Sequence, residues 1–474
     1  MLKLVIVLSL VATQSAVAQT ITPKLERWLR SASAGDNQLV WVYLTDKGDV
    51  SGRLNDARRK LSSRALERRA KRGSGADVRY DDIPPLPAYV QAIRERAPRV
   101  RHVSSWFNAV SVEASSDQIA ELARLPFVTR LDAVGRFTKG AEEPMVSMRR
   151  GTPLSTDSYA RPPDYGSSFG QLEQINVPAL HDLGLSGAGV VIAVFDTGFR
   201  NLRHEALGHL SILTRWDFVN GDSTVGNNRD RGDGSHGGIV LSVIGGYAPG
   251  ELIGPAYGAT FILAKTENTE SETPIEEDNW VAATEWAEAW GADVISTSLG
   301  YLDFDAPFGG YTPDDLDGET AVTTRAAQMA AERGVVVVAS AGNGGFQPNI
   351  NTLGAPADAK LVLSIGAVDS FGVRADFSSV GRTADGRIKP DVMAQGVLVK
   401  GIDPAATDQY VLADGTSFAC PLTAGVVALL LEAHPEWTVQ RVRAALRSTA
   451  SNASTPTRLM GWGIVDGLAA LASR

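Results

Sequence analysis

Three side chains in this 474-residue chain have the types and surroundings that nucleophilic catalysis needs: Ser417, His236 and Asp196. Ser417 stands in Asp414-Gly415-Thr416-Ser417-Phe418-Ala419-Cys420-Pro421, ahead of the apolar run 422–431. A serine at a helix start is ordinarily a cap. The same place suits a nucleophile, because the free N–H groups and positive end of a helix stabilise developing negative charge. Such a hydroxyl needs a base. His236, in Ser235-His236-Gly237-Gly238-Ile239-Val240, opens an apolar helix, and its glycines allow close approach around the imidazole. Taken alone, it reads equally well as a structural histidine. Asp196 ends the apolar stretch 191–195, at the carboxyl edge of a strand. A carboxylate there can hold an imidazole in one tautomer and stabilise its charged form, or cap a turn. Asn343, in Ala339-Ser340-Ala341-Gly342-Asn343-Gly344, also follows an apolar stretch. Its amide can donate to an oxyanion or serve a turn.

Other chemistries fit less well. Asp196-Thr197-Gly198 is also an aspartic-protease motif, but that reaction needs two carboxylates sharing a proton, and no second Asp-Thr-Gly or Asp-Ser-Gly occurs. The six histidines are 102, 181, 204, 209, 236 and 434. His204 and His209 are five apart, whereas the zinc-protease pattern sets them four apart on one helix face, so both read as loop or surface residues. His434 ends a helix before Pro435, where the dipole favours it. Gly-x-Ser-x-Gly fails at Ala419, and only His434 follows Ser417. Cys420 is the single cysteine, so no internal disulfide forms, and its context favours packing over catalysis.

These residues need elements to position them. Apolar stretches at 190–195, 260–264, 292–297, 335–339 and 362–368 read as strands. Stretches 237–246, 275–290, 320–333, 418–431 and 438–449 read as helices. Near-continuous apolar strands separated by helices imply a parallel sheet covered on both faces. Active sites in such sheets lie at the carboxyl ends of the strands. Ahead of this part, strands at 39–44, 109–112 and 127–131 and a helix at 117–125 describe a small α+β unit. The basic run 58–72 has helical apolar spacing at Leu61, Ala65 and Leu66.

Charge separates the two parts. Residues 19–140 carry 22 Lys+Arg against 14 Asp+Glu, and residues 141–474 carry 22 against 40. A basic segment can signal nucleic acid; here it can equally bind the acidic part of its own chain. Residues 1–18 read as a signal peptide, with Lys3, the apolar core 4–12 and small residues at 16–18. That core is too short to span a bilayer. Residues 141–163 lack apolar periodicity and read as a linker. The expected organisation is signal peptide 1–18, basic unit 19–140, processing linker 141–163 and acidic unit 164–474.

The order Asp196, His236, Ser417 matches neither the chymotrypsin nor the α/β-hydrolase order. Together with Asn343, with Ile365-Gly366-Ala367-Val368-Asp369, with Phe377-Ser378-Ser379-Val380 and with Lys389-Pro390-Asp391-Val392, it resembles the subtilisin-like serine proteases over about 168–468. The resemblance implies a doubly wound, mostly parallel α/β sheet in a three-layer sandwich, preceded by an α+β propeptide. It implies that Ser417 is the nucleophile, His236 the base, Asp196 its orienting partner, and Asn343 with the Ser417 N–H the oxyanion hole. It assigns substrate binding to Ser298, Leu299 and Gly300, and a primary pocket to Gly342 and Gly354. An open pocket of this kind would suit a large apolar or aromatic residue before the cut bond. The basic unit resembles the family's propeptide, a chaperone and inhibitor whose tail occupies the active site, with the cut expected between 135 and 163.

Two departures stand out. The family segment His-Gly-Thr-His is here His236-Gly237-Gly238-Ile239, and an acidic insert runs from Asp303 to Glu319. The insert reads as a solvated loop or, alternatively, a structural calcium site; no cofactor is expected for the chemistry. The expected protein is a secreted (extracellular or periplasmic) self-processing serine endopeptidase, monomeric, with protein substrates and its own propeptide as partners and neither nucleic acid nor membrane. The alternatives are a non-catalytic binding module on the same scaffold and a peptide ligase sharing the triad.

Overall fold

The computed structural model describes residues 20–33, 36–134, 136–137, 145–148, 163–226, 234–267, 275–301 and 311–474. The signal-peptide reading lies outside these residues. The N-terminal unit contains helices α1 (Pro23–Ser31), α2 (Arg53–Arg59), α3 (Ser63–Arg72), α4 (Pro87–Arg96) and α5 (Ser116–Leu122). Its strands are β1 (Asn37–Leu44), β2 (Arg99–Ser104), β3 (Ala109–Ser115) and β4 (Val128–Ala133), in an antiparallel sheet of order β2-β3-β1-β4. The run Leu39-Val40-Trp41-Val42-Tyr43-Leu44 is apolar throughout because both of its faces are covered. Val40, Val42 and Leu44 pack on the unit's own helices, and Leu39, Trp41 and Tyr43 pack into the core of the following unit. The basic run 58–72 is two helices rather than one. Ser62 breaks it, accepting a hydrogen bond from Ala65 N (3.1 Å) as the cap of α3.

Two short strands follow, β5 (Arg136–Phe137) and β6 (Met145–Met148). The second lies within the span read as a linker. The larger unit then runs α6 (Phe169–Glu173), α7 (Val177–Asp182), β7 (Val191–Asp196), β8 (Ser211–Asp217), α8 (Ser235–Gly245), a hairpin of β9 (Tyr247–Ala248) and β10 (Leu252–Ile253), and β11 (Thr260–Lys265). It continues through β12 (Ile275–Glu276), α9 (Glu277–Trp290), β13 (Val294–Thr297), α10 (Val322–Glu332), β14 (Val336–Ser340), β15 (Leu363–Val368) and β16 (Val392–Gln395). It ends with β17 (Val399–Ile402), β18 (Tyr410–Ala413), α11 (Thr416–Ala433), α12 (Val439–Thr449) and α13 (Gly467–Ala472).

Seven strands form a parallel sheet of order β16-β15-β14-β13-β7-β11-β8. β7 shows how its residues build three layers. Ile192 and Val194 face the core that holds α8 and α11, and Val191, Ala193 and Phe195 face the core that holds α9 and α10. From β7 the chain goes to β8 and then β11 on one side, and later crosses to β13 on the other. The carboxyl ends of β7 and β13 therefore flank the point where strand order reverses, the usual place for a site in such a sheet. α11 has the length and apolarity of a membrane span but is the central helix, buried from Thr416 to Leu431. Two small sheets tie the units together: β5 pairs antiparallel with β12, and β6 adds to β18 beside β17.

Candidate active site

Asp196 is fully buried at the end of β7, and its Oδ1 accepts from Thr197 N at 2.7 Å. His236 lies in the first turn of α8, and its Nδ1 is 2.7 Å from the same Oδ1. Donation from Nδ1 to the carboxylate leaves Nε2 as the basic nitrogen of the neutral ring. This contact requires α8 to approach the chain after β7 very closely. A Cβ on Gly237 would lie 2.2 Å from Gly198 O, and one on Gly238 would lie 2.8 Å from Arg200 O. Gly238, which departs from the family segment, is thus explained by the path of residues 198–200.

Ser417 occupies the first turn of α11, among the N–H groups that have no intrahelical acceptor. Gly415 precedes it at φ +150°, a backbone state that favours glycine. Pro421 stands four residues after Ser417 and has no N–H to close the helical bond to the Ser417 carbonyl. Ser298 replaces that donor: its Oγ donates to Ser417 O at 2.7 Å, and Ser417 Oγ donates to Ser298 O at 3.1 Å. Ser298 directly follows β13, so this reciprocal pair locks the start of α11 to the sheet's carboxyl edge. Sequence reasoning named Ser298 for another reason and missed this tie, although Pro421 was its visible signal.

Asn343 follows β14. Its Oδ1 accepts from Thr416 N (3.0 Å) and Thr416 Oγ1 (2.8 Å), which makes Nδ2 the donating end of the amide. Asp196, His236, Ser417, Ser298 and Asn343 all lie at the carboxyl ends of β7, β13 and β14 or at the helix starts that face them. Gly342 (φ +108°), Gly354 and Gly300 also meet here. A Cβ on Gly354 would stand 2.9 Å from Gly300 Cα, and Tyr301 and Ala355 exchange two backbone hydrogen bonds of 3.0 Å. Gly354 is therefore required by the pairing of two chain segments. Leu299 is buried and Gly300 is exposed.

The remaining candidates fall elsewhere. Cys420 is buried in α11 on the side facing the sheet, with Sγ 3.4 Å from Val338 O, and burial pushes its thiol up to about 12, far from a thiolate. His204 is buried rather than at the surface. Its Nε2 donates to Gln409 O at 2.8 Å and its ring meets Tyr410 edge-on, because a turn folds it inward. His209 is exposed, as read. Much of the acidic insert lies outside the described residues. In its described end, Asp315 accepts from Thr312 N and Asp317 from Thr320 N, each at 2.8 Å, so both close turns. Among the described residues no group of three or more candidate ligands converges.

Residues 187–463 match the Subtilase family of S8 peptidases, and residues 39–147 match the Bacteroidota type of Peptidase S8 propeptide domain. Subtilisin NAT of Bacillus subtilis subsp. natto is 31% identical over 361 residues, covering 76% of this chain and 80% of the relative. Subtilisin E of Bacillus subtilis (strain 168) is also 31% identical over the same extent. The crystal structure of fervidolysin from Fervidobacterium pennivorans, a keratinolytic enzyme related to subtilisin, superposes with a TM-score of 0.64 at 21% identity. That superposition covers 94% of this chain and 62% of fervidolysin, and supports the fold. A large parallel sheet with Asp, His and Ser at its carboxyl edge, preceded by an S8 propeptide domain, agrees with these matches throughout: the chain belongs to the subtilase family and is a subtilisin-like serine endopeptidase.

Proposed function

We propose that Ser417 is the nucleophile, His236 the general base and Asp196 the group that orients it, in an enzyme that is exported and cuts off its own propeptide. The observation that carries the reading is the 2.7 Å contact between His236 Nδ1 and Asp196 Oδ1, made opposite the start of the helix that bears Ser417. In this mechanism His236 Nε2 takes the Ser417 proton as Oγ attacks the peptide carbonyl. Asp196 stabilises the imidazolium without itself becoming protonated. The tetrahedral oxyanion is received by Asn343 Nδ2 and the Ser417 N–H, aided by the positive end of α11. The imidazolium then protonates the leaving amine, and water, activated by the same nitrogen, releases the acyl group. No metal is needed for any of these steps.

Self-processing is supported by the chain's own path. β5 pairs with β12 at the start of α9, and β6 pairs with β18, which leads directly into α11. The chain that joins the two units is thus held on the peptidase at two places, one of them the strand that leads into the helix bearing Ser417. Export is supported by the signal-like residues 1–18 and by the propeptide. The test is to compare secreted wild-type protein with Ser417→Ala, reading the N-terminal residue and casein hydrolysis of each. Wild type is expected to lose both the leader and the propeptide, whereas Ser417→Ala loses only the leader and hydrolyses nothing. A Ser417→Ala chain that matures by itself would overturn the reading.

A further inference from the structure

The N-terminal unit grips the peptidase at a second place, remote from the cleft. α3 lies across the C-terminal ends of α9 and α10, whose last carbonyls have no intrahelical donors. Arg68 Nη1 donates to Ala292 O (2.6 Å), Arg68 Nε to Arg333 O (3.3 Å), Arg64 Nε to Gly291 O (3.1 Å) and Ser62 N to Ala289 O (2.9 Å). Two buried carboxylates complete the seat. Glu288 takes Arg69 through Nε (2.7 Å) and Nη2 (2.6 Å) and also pairs with Arg68. Asp293 takes Arg72 Nη2 (2.6 Å) and pairs with Arg64. On the peptidase side Arg333 answers with the opposite charge, bonding Asp81 (2.7 Å) and Asp82 (3.1 Å) of the stretch after α3.

The charge placement matters once the N-terminal unit is gone. Glu288 and Asp293 then stand beside the negative ends of two helices, where carboxylates are disfavoured and cations are welcome. Planar guanidinium forks fit these carboxylates and the adjacent carbonyls together, which a lysine ammonium does not. The seat is also separate from the chemistry. Asp293 precedes β13 at the amino edge of the sheet, whereas Asp196 ends β7 at the carboxyl edge. α9, 14 residues and so about 21 Å long, runs between them.

We propose that this seat is an exosite that persists on the released peptidase and binds residues 60–83 of the cleaved propeptide: an arginine-rich helix followed by an acidic pair. It rests on the reading that the propeptide is cut away. A propeptide held at both the exosite and the cleft has its tail kept at high effective concentration near the active site. Release of the propeptide is therefore controlled from the far edge of the sheet, by salt or by cuts within α3.

The test uses processed wild-type enzyme. Hydrolysis of a small chromogenic tripeptide, and its loss on blocking with a tripeptidyl phosphonate, first establish the catalytic reading; failure there counts against that reading alone. The blocked enzyme, which cannot digest a probe and whose cleft is filled, is then titrated with a fluorescent synthetic peptide of residues 60–83. Saturable binding at micromolar peptide is expected, since the free segment must order on binding. Binding should weaken at least 10-fold between 50 and 500 mM salt, and at least 10-fold when Arg68 and Arg69 of the peptide are both replaced by glutamine. Glu288→Gln in the enzyme should lose a similar factor. No saturable binding to blocked enzyme, or binding indifferent to salt and to the two arginines, would overturn the proposal; the peptide variant decides even where Glu288→Gln folds poorly.

Discussion

Glu285 gives the grip between the two units a dependence on pH, once the propeptide is cut as proposed. It sits on α9 under the propeptide sheet. Burial pushes its carboxyl up to about 7, outweighing the hydrogen bonds it accepts from Ser104 Oγ (2.5 Å), Ser105 N (3.0 Å) and Trp106 N (3.3 Å). In the released peptidase this carboxyl regains water and its ordinary value near 4.5. The docked state therefore binds the extra proton. The contribution of Glu285 to docking is fully present below about pH 4.5, weakens as pH rises, and is lost above about 7. The expected loss in propeptide affinity from pH 4.5 to 8 is on the order of 100-fold from this residue. Titration of separated propeptide into blocked enzyme checks it, and Glu285→Gln should flatten the profile. Asn343 carries a second expectation. Asn343→Ala should lower kcat roughly 10²–10³-fold with little change in KM, the size seen when a side-chain donor of this kind is removed from a subtilisin. Steady-state kinetics on a tripeptide substrate decide it, and an equal rise in KM would mean Asn343 serves binding instead. Asp196, His236, Ser417 and Asn343 were all legible as candidates from residue type and local motif. No one of them was decisive, because a cap, a turn and a structural histidine leave the same local trace.

At the scale of elements, a family signature turns out to be an ion cluster. Lys389-Pro390-Asp391-Val392 leads into β16. Lys389 Nζ reaches Asp391 Oδ2 and Val362 O, each at 2.7 Å, and Asp391 also accepts from Ser364 N and from Arg447 of α12. Burial raises the Asp391 carboxyl, but Lys389, Arg447 and Arg443 outweigh it and hold the group well below the usual range. Asp391→Asn leaves buried cations without their counter-charge and should destabilise the peptidase by about 3–5 kcal/mol. Thermal unfolding of the Ser417→Ala background measures this without self-digestion. Long elements were legible because their pattern repeats: the strand expected at 260–264 is β11, and the helix expected at 438–449 is α12. β17 and β18 were not, since four residues carry too little pattern and their pairing partners lie in other segments. β8 was missed because it is an edge strand with only Asp217 fully buried. The basic run was legible as helix, but its break at Ser62 depends on which carbonyls α3 must meet.

For the whole molecule, Trp41 tests whether the propeptide is held by its sheet face. It is fully buried between the units, with Phe107 edge-on at 6.0 Å. Trp41→Ala should cost docking about 3–5 kcal/mol, at least about 100-fold in affinity, while leaving the peptidase itself unchanged. Calorimetry of the separated propeptide against blocked enzyme gives the number, and a loss below 10-fold would place the main grip at α3. The sequence by itself determined the fold class, the family, the order of the catalytic candidates and the opposite charges of the two units. These follow from apolar period, local motif and composition, which are properties of neighbours along the chain. Only the tertiary structure decided that Asp196 and His236 share a proton-bearing contact, that Ser298 takes the place of the N–H missing at Pro421, and that Gly238 is required by the path of residues 198–200. It alone showed that two buried carboxylates, Glu288 and Asp293, sit beneath an arginine helix of the other unit. Each of these is a contact between residues tens to hundreds of positions apart, and distance along the chain carries no record of distance in space until the sheet and its helices have packed.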